Sequence, residues 1–261
     1  MRSTKLVSIY ENLSHQELYS AIIGMVLGDF NLQIHGINAR IQAAHTPAVR
    51  DYVAIKGIIL SQIPGIIFSV RDIVHNNRKL GKLYPQIRIR TNTHSFLTEI
   101  RKEIYNPHKR VTLELLERLT PMGLALWYMD DGNLELHYNK VRFKPDFYRE
   151  RRERSIGGRN IRLSTHSFSL AENEIICTWL RFRWGILAQT KPSKGLFFIH
   201  INTTNAKKFI DLVRPFVLEV PSMYHKIDFK YRDLSFEHQR FNIEYWISQT
   251  KEINNVRDKR L

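Results

Sequence analysis

Two apolar stretches, each closed by an acidic residue, decide how this chain folds: Ile22-Ile23-Gly24-Met25-Val26-Leu27-Gly28-Asp29-Phe30 and Leu124-Ala125-Leu126-Trp127-Tyr128-Met129-Asp130-Asp131-Gly132. Apolar residues occupy nearly every position in both, which is typical of helices that pack against each other in the centre of a molecule. Close packing of two helices favours small residues at the contact. We therefore predict a central helix pair whose contacting faces carry Gly24, Gly28, Gly123 and Ala125.

Both helices have recognisable starts and ends. Ser14 and Glu17 form the capping-box pattern before the first helix, and Thr120-Pro121 gives a cap followed by a first-turn proline before the second. Each run then halts at a turn that contains glycine and an acid. Gly and Asp terminate many helices, so either ending alone indicates only a turn. Their occurrence as a pair predicts two acids, Asp29 and Asp131, at the same end of the helix interface.

Strand-like segments follow each helix, and in them polar or basic side chains alternate with apolar ones. Such alternation puts the two kinds of side chain on opposite faces of a sheet. Residues 86–92 and 160–164 have the clearest pattern, and residues 38–42 and 197–202 have it as well. Any one of these segments also fits an ordinary sheet with a solvated face. Several such faces without an acidic residue favour a surface that binds a polyanion.

The order of these segments repeats along the chain. Each unit runs helix, strands, helix, strands and helix, which indicates an internal duplication. We predict an α+β fold with an N-terminal half at 1–112, a C-terminal half at 113–230 and an extension at 231–261. A basic insertion at about 144–159 interrupts the second half, and we expect it to become ordered on a phosphate backbone.

The chain is strongly basic. It carries 40 Lys and Arg against 25 Asp and Glu, a formal charge of +15, with a pI near 10.0. This balance indicates a polyanionic partner or a membrane surface, and nucleic acid is favoured. The longest apolar stretches are too short or too interrupted to span a membrane, and the N-terminal residues resemble no targeting peptide. The single cysteine, Cys177, is predicted to be a buried structural thiol.

The two acids suit a metal-dependent hydrolase. Cutting a phosphodiester calls for a divalent cation that stabilises charge on the attacking and leaving oxygens. Mg²⁺ takes oxygen ligands from carboxylates, water and substrate phosphate. Asp29 and Asp131 supply carboxylates at one place if their helices lie side by side. We therefore predict Mg²⁺, with Mn²⁺ as a substitute, as the cofactor.

The two quoted stretches resemble the namesake motifs of the LAGLIDADG homing endonucleases, in the branch that carries both motifs on one monomeric chain. The second motif is the more specific, whereas Phe30 in the first stands where the family usually has glycine. The resemblance implies two pseudo-symmetric αββαββα units whose motif helices form the central interface. It also implies that the antiparallel sheets form a saddle over the major groove of double-stranded DNA. One chain with both motifs is expected to act as a monomer on a long, imperfectly palindromic target.

The resemblance further implies which residues bind the metal. Asp29 and Asp131 would be the metal-binding acids, because they occupy the acidic position of each motif. The main-chain oxygens of Gly28 and Asp130, one residue before each acid, would be additional ligands.

Each half of such an enzyme would also contribute a lysine that polarises the pocket and its waters. Lys109 and Lys226 occupy the matching places, each at the far end of its own half. Arginine pairs well with guanine, and Asn or Gln with adenine, so polar strand residues are candidates for base or phosphate contacts. These candidates are Gln33, Asn38, Arg40, Gln42, Arg88, Arg90, Asn92, Arg162 and Ser164.

Two other functions remain open on the same scaffold. An intron maturase would bind intron RNA through the basic surface without needing the carboxylates, either alone or alongside cleavage. A cleavage-inactive DNA-binding protein would keep the sheets and lose the metal. The presence of both acids and both lysines favours an endonuclease that makes a double-strand break. We expect it to act in an organelle that encodes it, a mitochondrion or chloroplast, or in a microbial cytoplasm.

Overall fold

A computed structural model describes residues 8–77, 81–138 and 156–227 of the chain. The first half begins with a helix that is followed by two strands, a second helix, two more strands and a third helix. A short 3-10 helix, Pro47–Val49, precedes the second helix. The elements are α1 (His15–Leu27), β1 (Asn31–His35), β2 (Asn38–His45), α2 (Arg50–Leu60), β3 (Phe68–Asn77), β4 (Lys82–Thr91) and α3 (Ser95–Ile104).

The second half repeats this order after a short connecting helix. A six-residue 3-10 helix, Pro221–Lys226, closes the described part of the chain. The elements are α4 (Leu113–Glu117), α5 (Pro121–Asp131), β5 (Gly132–Tyr138), β6 (Ile156–Leu163), α6 (Leu170–Trp184), β7 (Ala188–Ser193), β8 (Leu196–Ile201) and α7 (Thr203–Val217).

The two halves contain sheets of the same topology. Each sheet has four strands, in the order β1-β2-β4-β3 in the first half and β5-β6-β8-β7 in the second, and the paired strands run antiparallel. The predicted α+β fold and its internal duplication are therefore confirmed.

The helix α1 begins as the sequence predicts but ends earlier. The Ser14 hydroxyl accepts a hydrogen bond from the Glu17 amide, and the Glu17 carboxylate accepts one from the Ser14 amide. The helix ends at Leu27, however, so Asp29 lies two residues beyond it, whereas Asp131 is the last residue of α5. The prediction that both helices end on their acids is therefore wrong for the first. The Asp29 amide instead donates to the Asp130 carboxylate of the other half.

The start of α5 is also tied to the other half. Thr120 makes no side-chain cap bond, contrary to the prediction. Its amide donates to the Ser20 hydroxyl of α1 at 2.8 Å, and the two hydroxyls lie 3.0 Å apart. Ser20 is fully buried, so this pair satisfies polar groups that would otherwise lack partners inside the helix interface.

The helices α1 and α5 pack against each other at the centre of the core, as predicted. Both are buried along almost their whole length. A Cβ atom added to Gly24 would lie 2.0 Å from the carbonyl oxygen of Gly123, and one added to Gly28 would lie 2.5 Å from Cβ of Asp130. The two backbones therefore approach so closely that only glycine fits at Gly24.

Each sheet turns its apolar face to this core and its polar face outward. In β4 the side chains of Ile87 and Ile89 are fully buried, whereas Arg88 and Arg90 are exposed. The register pairs Gln42 with Arg90, so the polar side chains of β2 and β4 share one face. The alternation seen in the sequence thus predicted the two faces of this sheet correctly.

Some sequence-based predictions fall at the edge of the described residues or outside it. Residues 144–155 of the predicted insertion and the extension 231–261 lie outside, whereas 156–159 form the start of β6 instead of belonging to the insertion. Cys177 is half-buried instead of fully buried, and its Sγ lies 3.7 Å from the Thr190 hydroxyl. No helix in the described ranges combines the length and apolar character that crossing a membrane requires.

Candidate active site

The predicted acids lie where the C-terminal ends of α1 and α5 meet. Asp29 follows α1 and its side chain is 44 % exposed, while Asp131 ends α5 and is half-buried. Withdrawal from water and the repulsion of neighbouring carboxylates raise the pKa of both acids, that of Asp131 to about 7. Asp130 contributes to the raised pKa of both acids, and Asp29 contributes to that of Asp131. The structure therefore brings the two acids into one crowded anionic site.

The two predicted lysines bind the ends of the two central helices. Lys109 Nζ donates to the carbonyl oxygen of Gly28 at 3.1 Å. Lys226 Nζ donates to the carbonyl oxygen of Met129, with those of Tyr128 and Asp130 at 3.5 Å. The last carbonyls of a helix lack partners within it and carry its partial negative charge, so an ammonium group stabilises them. Each lysine thus bonds the motif helix of its own half.

The charge of each lysine also acts on the acid of the opposite half. Burial lowers the pKa of Lys109, and among the acids that oppose this shift Asp131 acts more strongly than Asp29. Burial likewise lowers the pKa of Lys226 to about 8, against the attraction first of Asp130, then of Asp29 and last of Asp131. The hydrogen bonds stay within a half, but the stronger attraction to the two predicted acids crosses between halves.

Two sets of ligands could hold a metal at this end of the helices. One set is Asp29, His45 and Asp130, whose ligand atoms lie within 4.8 Å of one another. The ammonium group of Lys56 already contacts two of these ligands, because its Nζ lies 2.7 Å from Asp130 Oδ1 and 3.3 Å from His45 Nε2. A metal there would have to displace a buried ammonium group, so we do not assign one to it.

The other set is the one that the sequence predicts. It consists of the carboxylates of Asp29 and Asp131 and the main-chain oxygens of Gly28 and Asp130. The oxygens of Gly28 and Asp130 lie 3.1 and 3.5 Å from lysine ammonium groups, and a carbonyl oxygen has a second lone pair for another partner. A divalent cation bound between these crowded carboxylates would relieve the repulsion that raises their pKa values. This all-oxygen set fits Mg²⁺.

Sequence reasoning missed three side chains of this site: Lys56, His45 and Asp130. The family resemblance implies a role only for the main-chain oxygen of Asp130, yet the carboxylate of this residue is fully buried against Lys56. A signal was available for Lys56, since it lies three residues after Val53 and four before Leu60, on the buried face of α2. A lysine on an apolar helix face needs a buried acid as a partner.

The candidate DNA contacts fall into two groups in the N-terminal half. The first group shares the outer face of the sheet, where Gln33 pairs with Arg40, and Gln42 with Arg90. Arg88 lies on the same face, two residues before Arg90.

The second group, Asn38 and Asn92, forms side-chain hydrogen bonds within the protein. The Asn92 carboxamide accepts from the Ile67 amide and donates to the Gly65 carbonyl, which closes the loop before β3. The Asn38 carboxamide oxygen accepts from the Thr98 hydroxyl of α3. The structure therefore gives Asn38 and Asn92 roles in supporting the fold.

The C-terminal half places Arg162 and Ser164 on and just after β6. The Arg162 guanidinium lies 4.0 Å from the ring centre of Phe198, 3.2 Å from His166 Nε2 and 3.7 Å from Glu135 Oε1. Strand pairing sets Arg162 between Asn133 and His200. The Ser164 amide donates to the carbonyl oxygen of Asp131, so Ser164 lies beside the acid itself.

The sequence of this chain matches a family model and is similar to known proteins. The model of the LAGLIDADG DNA endonuclease family matches residues 19–209. A probable intron-encoded DNA endonuclease 3 of Mycosarcoma maydis is 28% identical over 144 residues, which cover 53% of this chain and 90% of that protein. A RecA protein of Mycolicibacterium fallax is 25% identical over 245 residues, which cover 91% of this chain and 52% of that protein. The chain thus spans about half the length of the RecA relative.

A solved structure has the same fold. The homing endonuclease I-WcaI bound to its DNA recognition sequence superposes with a TM-score of 0.65 at 22% sequence identity. The match covers 88% of this chain and 95% of that one. The family model spans most of the chain, including both motif helices and both sheets. The chain therefore belongs to the LAGLIDADG DNA endonuclease family.

Proposed function

We propose that this protein is a site-specific homing endonuclease that makes a double-strand break in a long, imperfectly palindromic DNA target. The observation that carries the proposal is the convergence of Asp29 and Asp131 at the common end of α1 and α5, each helix end bonded by a lysine. A relative named as an intron-encoded DNA endonuclease supports the same activity. That name also fits action in an organelle or in a microbial cell.

The site residues would divide the work as follows. Asp29 and Asp131, with the main-chain oxygens of Gly28 and Asp130, would hold Mg²⁺, or Mn²⁺ in its place. The metal supplies charge stabilisation and an activated water when it is bound. Lys109 and Lys226 would hold positive charge beside the scissile phosphates. Because one carboxylate comes from each half, each half would serve one strand of the duplex.

The outer faces of the sheets would bind the DNA. The formal charge of +15 and the exposed arginines of β4 suit the phosphate backbone and guanine edges. The two sheets share one topology but carry different residues on their outer faces, which suits a target whose half-sites are similar and not identical. Since one chain contains both halves, it would act as a monomer.

The activity can be tested on a target that the protein itself selects. A randomised duplex library is incubated with the protein in Ca²⁺, and the bound sequences are recovered. A plasmid carrying the recovered sequence is then incubated with protein and Mg²⁺. We expect linear plasmid, and none when EDTA removes the metal. Stable binding without any cutting would show that the protein is not an endonuclease.

Metal binding should depend on pH through Asp131. A carboxyl whose pKa is raised to about 7 is protonated below that pH, and a protonated carboxyl cannot bind a cation. The affinity for Mn²⁺, measured by calorimetry on the DNA-free protein, should therefore rise between about pH 6 and pH 8 and then level off. Binding near neutral pH should release protons. An affinity that stays constant over this range would contradict the assignment of Asp131 as a ligand.

A further inference from the structure

We propose that Lys56 and Asp130 are positioning residues that hold Asp29 in place, and that this support serves one of the two cutting centres. The inference rests on the proposed function, because it concerns the acid that would bind the metal. Neither side chain touches the expected metal directly. Their role would be to fix the backbone and the carboxylate of Asp29 before any metal or DNA arrives.

The pair forms a bidentate contact in the core. Lys56 Nζ lies 2.7 Å from Oδ1 and 3.0 Å from Oδ2 of Asp130, and both side chains are 0% exposed. The ammonium group also lies over the rings of Phe30, at 4.8 Å, and Tyr52, at 4.4 Å. Burying two charges is costly, and an apolar pair of similar size often stabilises a protein as well or better. The pair therefore calls for an explanation other than stability.

Asp130 connects this pair to the backbone of Asp29. Its Oδ2 accepts a hydrogen bond from the Asp29 amide at 3.2 Å. That amide lies between those of Gly28 and Phe30, which both donate back to carbonyl oxygens of α1, whereas the Asp29 amide donates across to α5. Since Asp130 comes from α5 and Lys56 from α2, the position of Asp29 depends on both halves of the chain.

Lys56 also contacts His45, whose ring lies beside the Asp29 carboxylate. An ammonium group can only donate hydrogen bonds, so the contact of 3.3 Å makes His45 Nε2 the acceptor. The proton of the neutral ring is then on Nδ1, which lies 3.6 Å from Asp29 Oδ2. Lys56 thus contacts both side chains, Asp130 and His45, that lie beside Asp29.

The C-terminal half supports Asp131 differently. Asp130, the residue before Asp131, has a carboxylate that accepts a hydrogen bond from the Asp29 amide. Gly28, the residue before Asp29, has no side chain that could accept one from the Asp131 amide. Two residues after each acid, Asn31 pairs with Gln42 in the first half and Asn133 pairs with Arg162 in the second. Three residues beyond those partners lie His45 and Thr165, which therefore occupy equivalent positions. The Thr165 hydroxyl donates to the Asn173 carboxamide, whose nitrogen donates to the carbonyl oxygens of Phe168 and Ser169. This buried neutral pair fastens the start of α6, so the charged support belongs to the Asp29 centre.

The test replaces the ion pair with apolar residues of similar shape, Lys56→Met together with Asp130→Leu. Lys56→Met alone would strand a buried carboxylate, while the double variant removes both charges and should fold. Strand-specific cutting is measured on an end-labelled duplex of the selected target. We expect one strand to be cut about 10- to 100-fold more slowly, the usual effect of losing a residue that orients a metal ligand. The other strand should be slowed much less, so nicked DNA accumulates.

A second readout needs neither metal nor DNA. In the metal-free protein, the Asp29 amide should be protected from hydrogen exchange, and ¹⁵N NMR should place the proton of His45 on Nδ1. Both features should be lost in the double variant.

The matched control is Lys207→Met with Asp211→Leu, which removes the same residue types from an exposed pair whose Nζ and Oδ2 lie 2.7 Å apart. It should cut both strands like the wild type and keep both NMR features. Equal slowing of the two strands in the core double variant, or an unchanged Asp29 amide, would overturn the inference. A wild-type protein that fails to cut would instead refute the proposed function, and the metal-free readouts would still decide whether the pair positions Asp29.

Discussion

Replacing Asp131 with asparagine should abolish DNA cutting and leave DNA binding nearly unchanged. Asparagine keeps the size of the side chain but removes the charge that would hold a divalent cation. Loss of that stabilisation costs several kcal/mol in the transition state, which is about a thousandfold or more in rate. In the proposed function, DNA affinity would depend instead on the basic faces of the sheets, which lie outside the helix interface. The measurement pairs plasmid cleavage with a gel-shift titration of the same preparation.

The same substitution should make the metal-free protein more stable. Because the folded-state pKa of Asp131 is raised to about 7, well above its ordinary value of 3.8, the ionised carboxylate opposes folding at higher pH. This penalty is fully present above the folded-state pKa and disappears as the pH falls toward the unfolded-state pKa. The Tm gain of Asp131→Asn should therefore be clear at about pH 8 and small at about pH 4. Asp211→Asn, at an exposed residue, serves as the control and should change neither cutting nor Tm.

Replacing Gly24 with alanine should destabilise the protein severely. Helix propensity alone favours alanine over glycine by about 1 kcal/mol in the middle of a helix, so a gain would be expected from α1 in isolation. In the folded chain the new Cβ would lie 2.0 Å from the carbonyl oxygen of Gly123. That contact involves backbone, which cannot rotate away, so α1 and α5 must move apart. We expect a loss of about 3 kcal/mol, the upper end of the usual cost of overpacking.

Urea denaturation followed by circular dichroism measures this change. Gly36→Ala is the matched control, because nothing lies within 4 Å of its added Cβ and its cost comes only from a φ of +69°. That left-handed conformation should cost about 1 kcal/mol. If Gly24→Ala is as stable as Gly36→Ala, the close approach of the helices is not what the structure indicates. Any folded Gly24→Ala protein should also cut poorly, because the acids would separate.

Local patterns in the sequence were enough to predict the framework of the fold. The capping box at Ser14 and Glu17 fixes the start of α1 through contacts within a single turn. The alternation of Ile87 and Ile89 with Arg88 and Arg90 fixes the faces of β4, because neighbouring side chains in a strand point to opposite sides. Such features depend on residues that are close in the chain, so they can be read without knowing the tertiary structure.

The parts of the site that were missed depend on distant residues. The end of α1 at Leu27 reflects a hydrogen bond from Asp29 to Asp130, far along the chain. The burial of Lys56 is tolerable only because Asp130 faces it. The carboxamide of Asn92, a predicted DNA contact, also bonds the backbone of Gly65 and Ile67. Each of these contacts forms only when whole helices and strands pack together, so no periodic pattern in the sequence indicates it.

The place where Asp130 lies against Gly28 bears on how the two halves can evolve. An added Cβ on Gly28 would come within 2.5 Å of Cβ of Asp130, so one half leaves the space that the other half fills. If two copies of the N-terminal half paired, glycine would lie on both sides of this contact and no side chain would fill the space. Two copies of the C-terminal half would bring two buried carboxylates together without room or countercharge. The two halves are therefore complementary at this contact, and we expect neither half to form the same interface with a second copy of itself.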